Sequence, residues 1–252
     1  MEKISFLNSR GKKIVANFWA SNKHALVIIA HGFTRDKSEL GKFDKIATEL
    51  NKAGFAVLAF DFTGHGESDD EEITIKKEID DMESALLFAK ALGYKKIGLF
   101  GHSLGGYISL KSYNPKVKAM VLIAPVTDKP KYDLNKKYSP TQIEELKEKG
   151  VMVKTRSVGI RKKFLIHKEF FEDRVKIKPT EFLNKINCPV LAIHGDKDKI
   201  IPITDSKTVM KYLPKESKLE IIENEEHNFE KSTDKVSKLA KEWFLEKMGL
   251  KN

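Results

Sequence analysis

The stretch Lys96-Ile97-Gly98-Leu99-Phe100-Gly101-His102-Ser103-Leu104-Gly105-Gly106 decides the fold. Residues 96–100 form an apolar run of strand length, and residues 104–112 read as a helix. Ser103 therefore sits on a sharp strand-to-helix turn. A serine there is held in a strained conformation with its Oγ lifted above the sheet, and the flanking glycines leave room for the neighbouring strand and helix. The helix N-terminus behind it stabilises developing negative charge. A glycine-rich turn with an incidental serine is the plain alternative. The strand-turn-helix context points instead to a nucleophile.

Further short apolar runs lie at residues 13–20, 25–30, 55–60, 119–124, 189–194 and 218–222. Several are almost continuously apolar, as strands covered on both faces are. Amphipathic helical patterns lie between them. Residues 74–92 place Ile75, Ile79, Met82, Leu86 and Ala89 on one face and stop at Gly93. Residues 232–248 do the same with Val236, Leu239, Ala240, Trp243 and Phe244, and stop at Gly249. This alternation predicts an α/β fold, a mostly parallel sheet with helices on both faces. With the strand-like N-terminus, residues 1–13, the sheet has eight strands, and the runs 13–20 and 25–30 follow each other closely enough to predict an antiparallel edge pair.

Residues 127–185 break the alternation: they are more charged and lack a long buried strand. Ser139-Pro140-Thr141-Gln142 is a capping box with proline at the first helical position, and that helix stops at Gly150. Residues 151–155 and 164–168 alternate like a small hairpin, and residues 169–175 are ambiguous. An excursion this long reads as an inserted cap on a core made of residues 1–126 and 186–252. Its apolar members Tyr132, Tyr138, Val151, Val153, Phe164, Ile166, Phe170 and Phe171 are too many to bury within so small a unit. Some are expected to wall the site, with Phe164, Ile166 and Phe170 the substrate-binding candidates beside Phe33.

A serine hydroxyl needs a base near neutral pH. Of the seven histidines, His227 lies in the polar loop after the late strand 218–222 and fits that role. The histidine needs a carboxylate to fix its tautomer. The segment His194-Gly195-Asp196-Lys197-Asp198 offers two; Asp198, further into the loop, has more reach toward His227 than Asp196 and is assigned. The oxyanion of a tetrahedral intermediate needs donors. Here they are the backbone N–H groups of Leu104 and of Phe33, the latter in the loop Ala30-His31-Gly32-Phe33. His31 shapes that turn, and His102 points away from the serine beside it. The segment Asp61-Phe62-Thr63-Gly64-His65-Gly66-Glu67-Ser68 suggests a metal or phosphate loop at first sight but reads as a strand-end turn organiser.

Composition bounds the rest. With 252 residues, 40% hydrophobic and 33% charged, the chain suits a soluble globular fold rather than a disordered one. No apolar run approaches the roughly 20 residues of a membrane span. Residues 1–13 lack a signal peptide's apolar core, so a cytoplasmic location is expected. The single Cys188 excludes an internal disulfide framework and reads as a packed residue. The net charge of +10 comes from 46 Lys and Arg against 36 Asp and Glu spread along the chain, which does not resemble a nucleic-acid surface. Abundant Lys and Glu with glutamine only at Gln142 matches a thermophile signature.

These motifs, in the order Ser103, Asp198, His227, resemble the α/β-hydrolase superfamily over essentially the whole chain. They are His31-Gly32-Phe33, the 61–68 segment, Gly101-His102-Ser103-Leu104-Gly105-Gly106, Gly195-Asp196-Lys197-Asp198 with Pro202, and Glu226-His227. Within the superfamily the chain is similar to feruloyl/cinnamoyl esterases and to serine aminopeptidase-like (lysophospholipase-like) hydrolases. The resemblance implies Ser103, Asp198 and His227 as triad, with Phe33 and Leu104 as oxyanion donors. It implies a carboxylic-ester hydrolase acting on small to medium acyl or hydroxycinnamoyl esters. Monoacylglycerol lipase, lysophospholipase or aminopeptidase activity is the alternative, ahead of a non-catalytic binding protein. Superfamily members with an aspartate nucleophile, the haloalkane dehalogenases and epoxide hydrolases, fit Ser103 poorly. The oxyanion loop is Gly-Phe, without the triple glycine of some lipases, which argues against bulky tertiary-alcohol esters. No cofactor, metal, nucleic acid or stable membrane anchor is expected, and the chain is expected to be a monomer or homodimer.

Overall fold

The computed structural model describes residues 1–21, 24–131 and 133–249. Eight strands form one sheet: β1 (Glu2–Leu7), β2 (Lys13–Trp19), β3 (Ala25–Ala30), β4 (Ala56–Phe60), β5 (Lys96–His102), β6 (Val117–Ile123), β9 (Val190–Gly195) and β10 (Lys218–Ile222). Their spatial order is β1-β2-β4-β3-β5-β6-β9-β10. The runs 13–20 and 25–30 do not pair with each other, because β4 lies between them: β2 pairs antiparallel with β1 at the edge and with β4 on its other side, and every other pairing is parallel.

Alternate side chains of each central strand enter opposite cores, as the two-residue period of a strand requires. Ala25, Val27 and Ile29 face α1 (Lys42–Lys52) and α8 (Thr233–Met248). Leu26, Ile28 and Ala30 face α2 (Ile75–Ala91), α3 (Leu104–Lys111) and α7 (Ile203–Val209). Helix α2 begins at Thr74, whose hydroxyl accepts from the Lys77 N–H, and gives way to Gly93 at φ 88°.

The chain passes from β3 to β4 on one side and returns to β5 on the other, with α1 and α2 on opposite faces. The strand order thus reverses at β3, and Ala30 is in register with Gly101. A reversal of this kind opens a crevice at the carboxyl ends of the strands. The loop after β3 and the turn after β5 meet there. Strand β5 runs two residues beyond the apolar stretch because Gly101 and His102 continue the pairing with Leu122 and Ile123 of β6.

The insertion after β6 holds α4 (Leu134–Lys137), α5 (Pro140–Lys149), the hairpin β7 (Val151–Thr155) and β8 (Lys163–His167), and α6 (Lys168–Val175). Two 3-10 turns, Pro179–Glu181 and Leu183–Lys185, lead back to β9. The capping box at Ser139 and Gln142 is present, and Gly150 ends α5 at φ 70°. The ambiguous stretch 169–175 is helical. Its adjacent Phe170 and Phe171 fit neither period because they serve different partners: Phe170 stacks on Phe33, and Phe171 meets Tyr138 edge-on. Strand β8 is tied to the core through Ile73, whose N–H donates to Leu165 O at 2.8 Å and whose carbonyl accepts from the His167 N–H at 3.1 Å. Tyr132 lies outside the described residues.

Candidate active site

Ser103 joins β5 to α3 with φ 54° and ψ −114°, the strained backbone that its sequence context called for. Its N–H donates to Ile123 O at 2.9 Å, and its carbonyl accepts from the Val126 N–H at 3.0 Å, so the turn is fastened to the end of β6. Crowding explains the glycines. A Cβ at Gly101 would come within 2.7 Å of the Gly105 carbonyl oxygen, and one at Gly105 within 2.4 Å of the Ala30 carbonyl oxygen.

His227 Nε2 lies 3.0 Å from Ser103 Oγ, and His227 Nδ1 lies 2.7 Å from Asp198 Oδ2. Ser103 and His227 are each 8% exposed, and the Asp198 side chain is fully buried. The loops carrying these side chains are laced together. The Asp196 N–H donates to Ile222 O at 3.1 Å, the Lys197 N–H to Glu225 O at 3.0 Å, and a Cβ at Gly195 would strike Glu225 O at 2.3 Å. That close approach brings Asp198 to His227. Asp196, its rival in the sequence, is exposed and lies 3.9 Å from Lys197 Nζ.

Asp198 Oδ1 accepts from the N–H groups of Ile200 and Ile201 at 2.8 and 2.9 Å, and Oδ2 lies 3.3 Å from His194 Nε2. Burial alone would raise its pKa, but the hydrogen bonds from His194, His227 and the backbone hold the carboxyl well below the usual carboxylate range. With Asp198 an anion, His227 Nδ1 donates to it, and Nε2 is left to accept from Ser103 Oγ.

The loop after β3 passes directly beside the serine: a Cβ at Gly32 would lie 3.5 Å from Ser103 Cβ. Among the described residues, no hydrogen bond uses the N–H of Phe33 or of Leu104. His31 is a turn residue, with Nδ1 2.9 Å from Gly32 O and Nε2 accepting from the Phe62 N–H at 3.2 Å.

Sequence reasoning missed Glu39, and it saw no task for His102. Glu39 Oε1 accepts from the Gly32 N–H at 2.7 Å, Lys42 Nζ lies 2.7 Å from Oε2, and His102 Nδ1 lies 2.8 Å from Oε2. His102 Nε2 is 3.0 Å from the His227 carbonyl oxygen. Behind Ser103, one buried chain of contacts thus joins the Gly32 loop to the His227 loop. Burial opposes the Glu39 charge, yet His102 and Lys42 hold its pKa well below the carboxylate range. Nothing in Arg35-Asp36-Lys37-Ser38-Glu39 marks the last carboxylate as the one that reaches His102.

The segment 61–68 does organise a turn. Asp61 accepts from the Lys37 N–H at 2.6 Å, from Lys37 Nζ at 2.7 Å and from the Glu67 N–H at 2.9 Å. The side chains of Lys37 and Asp61 are 2% and 0% exposed. Removing the cation would strand a buried carboxylate, so Lys37→Met is expected to cost about 3–5 kcal/mol, read from the urea midpoint. A change below about 1 kcal/mol would mean that the backbone donors alone satisfy Asp61.

Of the proposed wall residues, Phe170 stacks on Phe33 with ring centroids 4.6 Å apart. Phe164 packs against His65 at 5.5 Å, and fully buried Ile166 bridges to Ile73, so these two fasten the hairpin to the core. Cys188 is buried, which pushes its thiol pKa up to about 12. Among the described residues, no helix is long and apolar enough to cross a membrane.

A doubly covered, mostly parallel sheet with a strained serine at the end of its central strand defines an α/β-hydrolase. The chain belongs to the serine aminopeptidase S33 family (Hydrolase_4), whose pattern matches residues 21–179. It is 26% identical to a monoglyceride lipase homolog of Monkeypox virus, over 85% of each chain. It is 24% identical to a monoacylglycerol lipase of Mycolicibacterium smegmatis, over 82% of each. Est1E of Butyrivibrio proteoclasticus, solved with ferulic acid bound, is 26% identical with a TM-score of 0.81, covering 98% of this chain and 99% of that one.

Proposed function

We propose that the protein is a serine carboxylic-ester hydrolase working through Ser103, His227 and Asp198. The observation that carries the reading is the hydrogen-bonded series Ser103 Oγ, His227, Asp198, at 3.0 and 2.7 Å. His227 Nε2 takes the Ser103 proton as Oγ attacks the ester carbonyl carbon. The oxyanion accepts from the N–H groups of Phe33 and Leu104 at the start of α3. Collapse expels the alcohol, which takes its proton from His227. Water, activated by the same histidine, then cleaves the acyl-enzyme.

Ester chemistry is supported by the esterase and lipase names of relatives that align along most of the chain. Small to medium acyl or hydroxycinnamoyl esters are the substrates first proposed, with residues 127–185 as a lid and Phe33 and Phe170 as an apolar wall. Acylglycerols are the second reading, favoured by the two monoglyceride lipase relatives. Rates on nitrophenyl esters of increasing acyl length, methyl hydroxycinnamates, monoacylglycerols and aminoacyl amides test both. Cleavage confined to the amides would overturn the ester reading.

The wall has its own test. Phe170→Ala is expected to change the ratio of kcat/KM between short and long acyl esters, since one methylene in an apolar pocket is worth about 1–3 kcal/mol. A flat ratio with lowered stability would make Phe170 a packing residue only.

A further inference from the structure

Two cations elsewhere in this protein meet carboxylates. Arg10, its side chain 25% exposed, contacts Glu71, Asp80 and Asp81, and Lys37 contacts Asp61 and Glu67. Three cations beside the candidate site break that pattern. Arg156, at the end of β7, donates from Nε to Thr34 Oγ1 at 2.6 Å and from Nη2 to the Phe33 carbonyl at 3.2 Å. Lys154, two residues earlier, holds Nζ 5.4 Å from the Phe33 ring centre and 5.5 Å from that of Tyr138. Arg35 donates to the Asn228 side chain at 3.1 Å, next to His227. Among the described residues, none of the three forms an ion pair with a carboxylate. Two acids close by are occupied: Glu39 by Gly32, Lys42 and His102, and Asp36 by the N–H groups of Ser38, Glu39 and Ile160.

The cations also repel one another. Burial and then Arg156 lower the Lys154 pKa, and burial and then Arg35 lower that of Arg156. Half-buried like charges held this way are costly in the free protein, and an anion placed among them relieves both desolvation and repulsion. Planar guanidinium groups suit a carboxylate or a phosphate.

We propose that the ester accepted at Ser103 carries an anionic group, a carboxylate or a phosphate, held by Lys154, Arg156 and Arg35. The proposal rests on the ester-hydrolase reading above and narrows its substrate class. The cations sit on the Phe33 side of the serine and beside His227, so the anion lies on the same molecule as the scissile ester. The apolar Phe33–Phe170 stack contacts the rest of it.

The test is kcat/KM on matched pairs: monomethyl adipate against methyl hexanoate, and monobutyrylglycerol phosphate against monobutyrylglycerol. The first pair places a carboxylate on the acyl side, the second a phosphate on the alcohol side. In at least one pair the anionic ester is expected to be preferred about 10- to 100-fold, the range a charge-assisted hydrogen bond supplies. That ratio is expected to shrink with added salt and in Lys154→Met and Arg156→Gln. Lys154 Nζ makes no described hydrogen bond, so its variant carries the test if Arg156→Gln fails to fold. Hydrolysis of the neutral esters with equal or lower rates on the anionic ones would overturn the proposal alone. No hydrolysis in either pair would overturn the ester reading and the proposal with it.

Discussion

Ser103→Ala is expected to lower kcat by about 10⁴-fold or more and leave the fold intact. The two parts of the expectation have separate grounds. The strained turn is held by main-chain bonds to Ile123 and Val126 and by the close approach of Gly105 to the Ala30 carbonyl, none of which needs the hydroxyl. The covalent step needs it absolutely. What survives is the small catalysis that two N–H donors and substrate positioning supply without a nucleophile. Circular dichroism and steady-state rates on one nitrophenyl ester separate the effects. A folded Ser103→Ala protein with full activity would sink the assignment.

Asp198→Asn comes next, at about 10³- to 10⁴-fold in kcat. The geometry says why an isosteric change does so much. The substituted amide would keep its carbonyl oxygen on the N–H groups of Ile200 and Ile201, where Oδ1 of Asp198 now accepts two bonds. Its NH₂ would then face His227 Nδ1 and force that nitrogen to accept. The proton moves to Nε2, which can no longer take the one on Ser103. Asp196→Asn, at an exposed position outside this set, is expected to change the rate less than about 3-fold, within the range of an ordinary surface substitution. A reversed order of the two effects would make Asp196 the acid. The pH profile follows from the same carboxylate. Its folded-state pKa is depressed, so it is neutralised only in strong acid. The acid limb of kcat/KM is therefore expected to show one ionisation. A limb requiring two protons would contradict an Asp198 already ionised there.

Much of this is legible in the sequence because the decisive signals are local. A continuous apolar run followed by Gly-x-Ser-x-Gly leaves little room for any conformation but a strained turn, and Ser103 adopts it. Gly93, Gly150 and Gly249 mark helix ends for the same local reason, each with positive φ. The hairpin is readable from spacing alone, whereas the edge pair is not, because β4, further along the chain, takes the place beside β2 that spacing gives to β3. The unreadable parts depend on contacts distant in sequence. Glu39 owes its place to His102, 63 residues away, and His102 reaches His227 across 125. Lys37 is buried only because Asp61 is buried with it. Helix α6 escaped a period-based reading because its two adjacent phenylalanines answer to different neighbours. Among the wall candidates, the pattern identified buried apolar positions but not the direction they face, which the docking of β8 onto Ile73 determines.

The account stands most directly on whether Ser103 Oγ is made nucleophilic by His227. Incubating the active protein with a serine-directed fluorophosphonate, followed by peptide mass mapping, measures that. The predicted result is a single adduct on the peptide containing Ser103, formed in step with loss of esterase activity and slowed in His227→Ala. An active protein that takes up no label, or loses activity through an adduct on another residue, would contradict it.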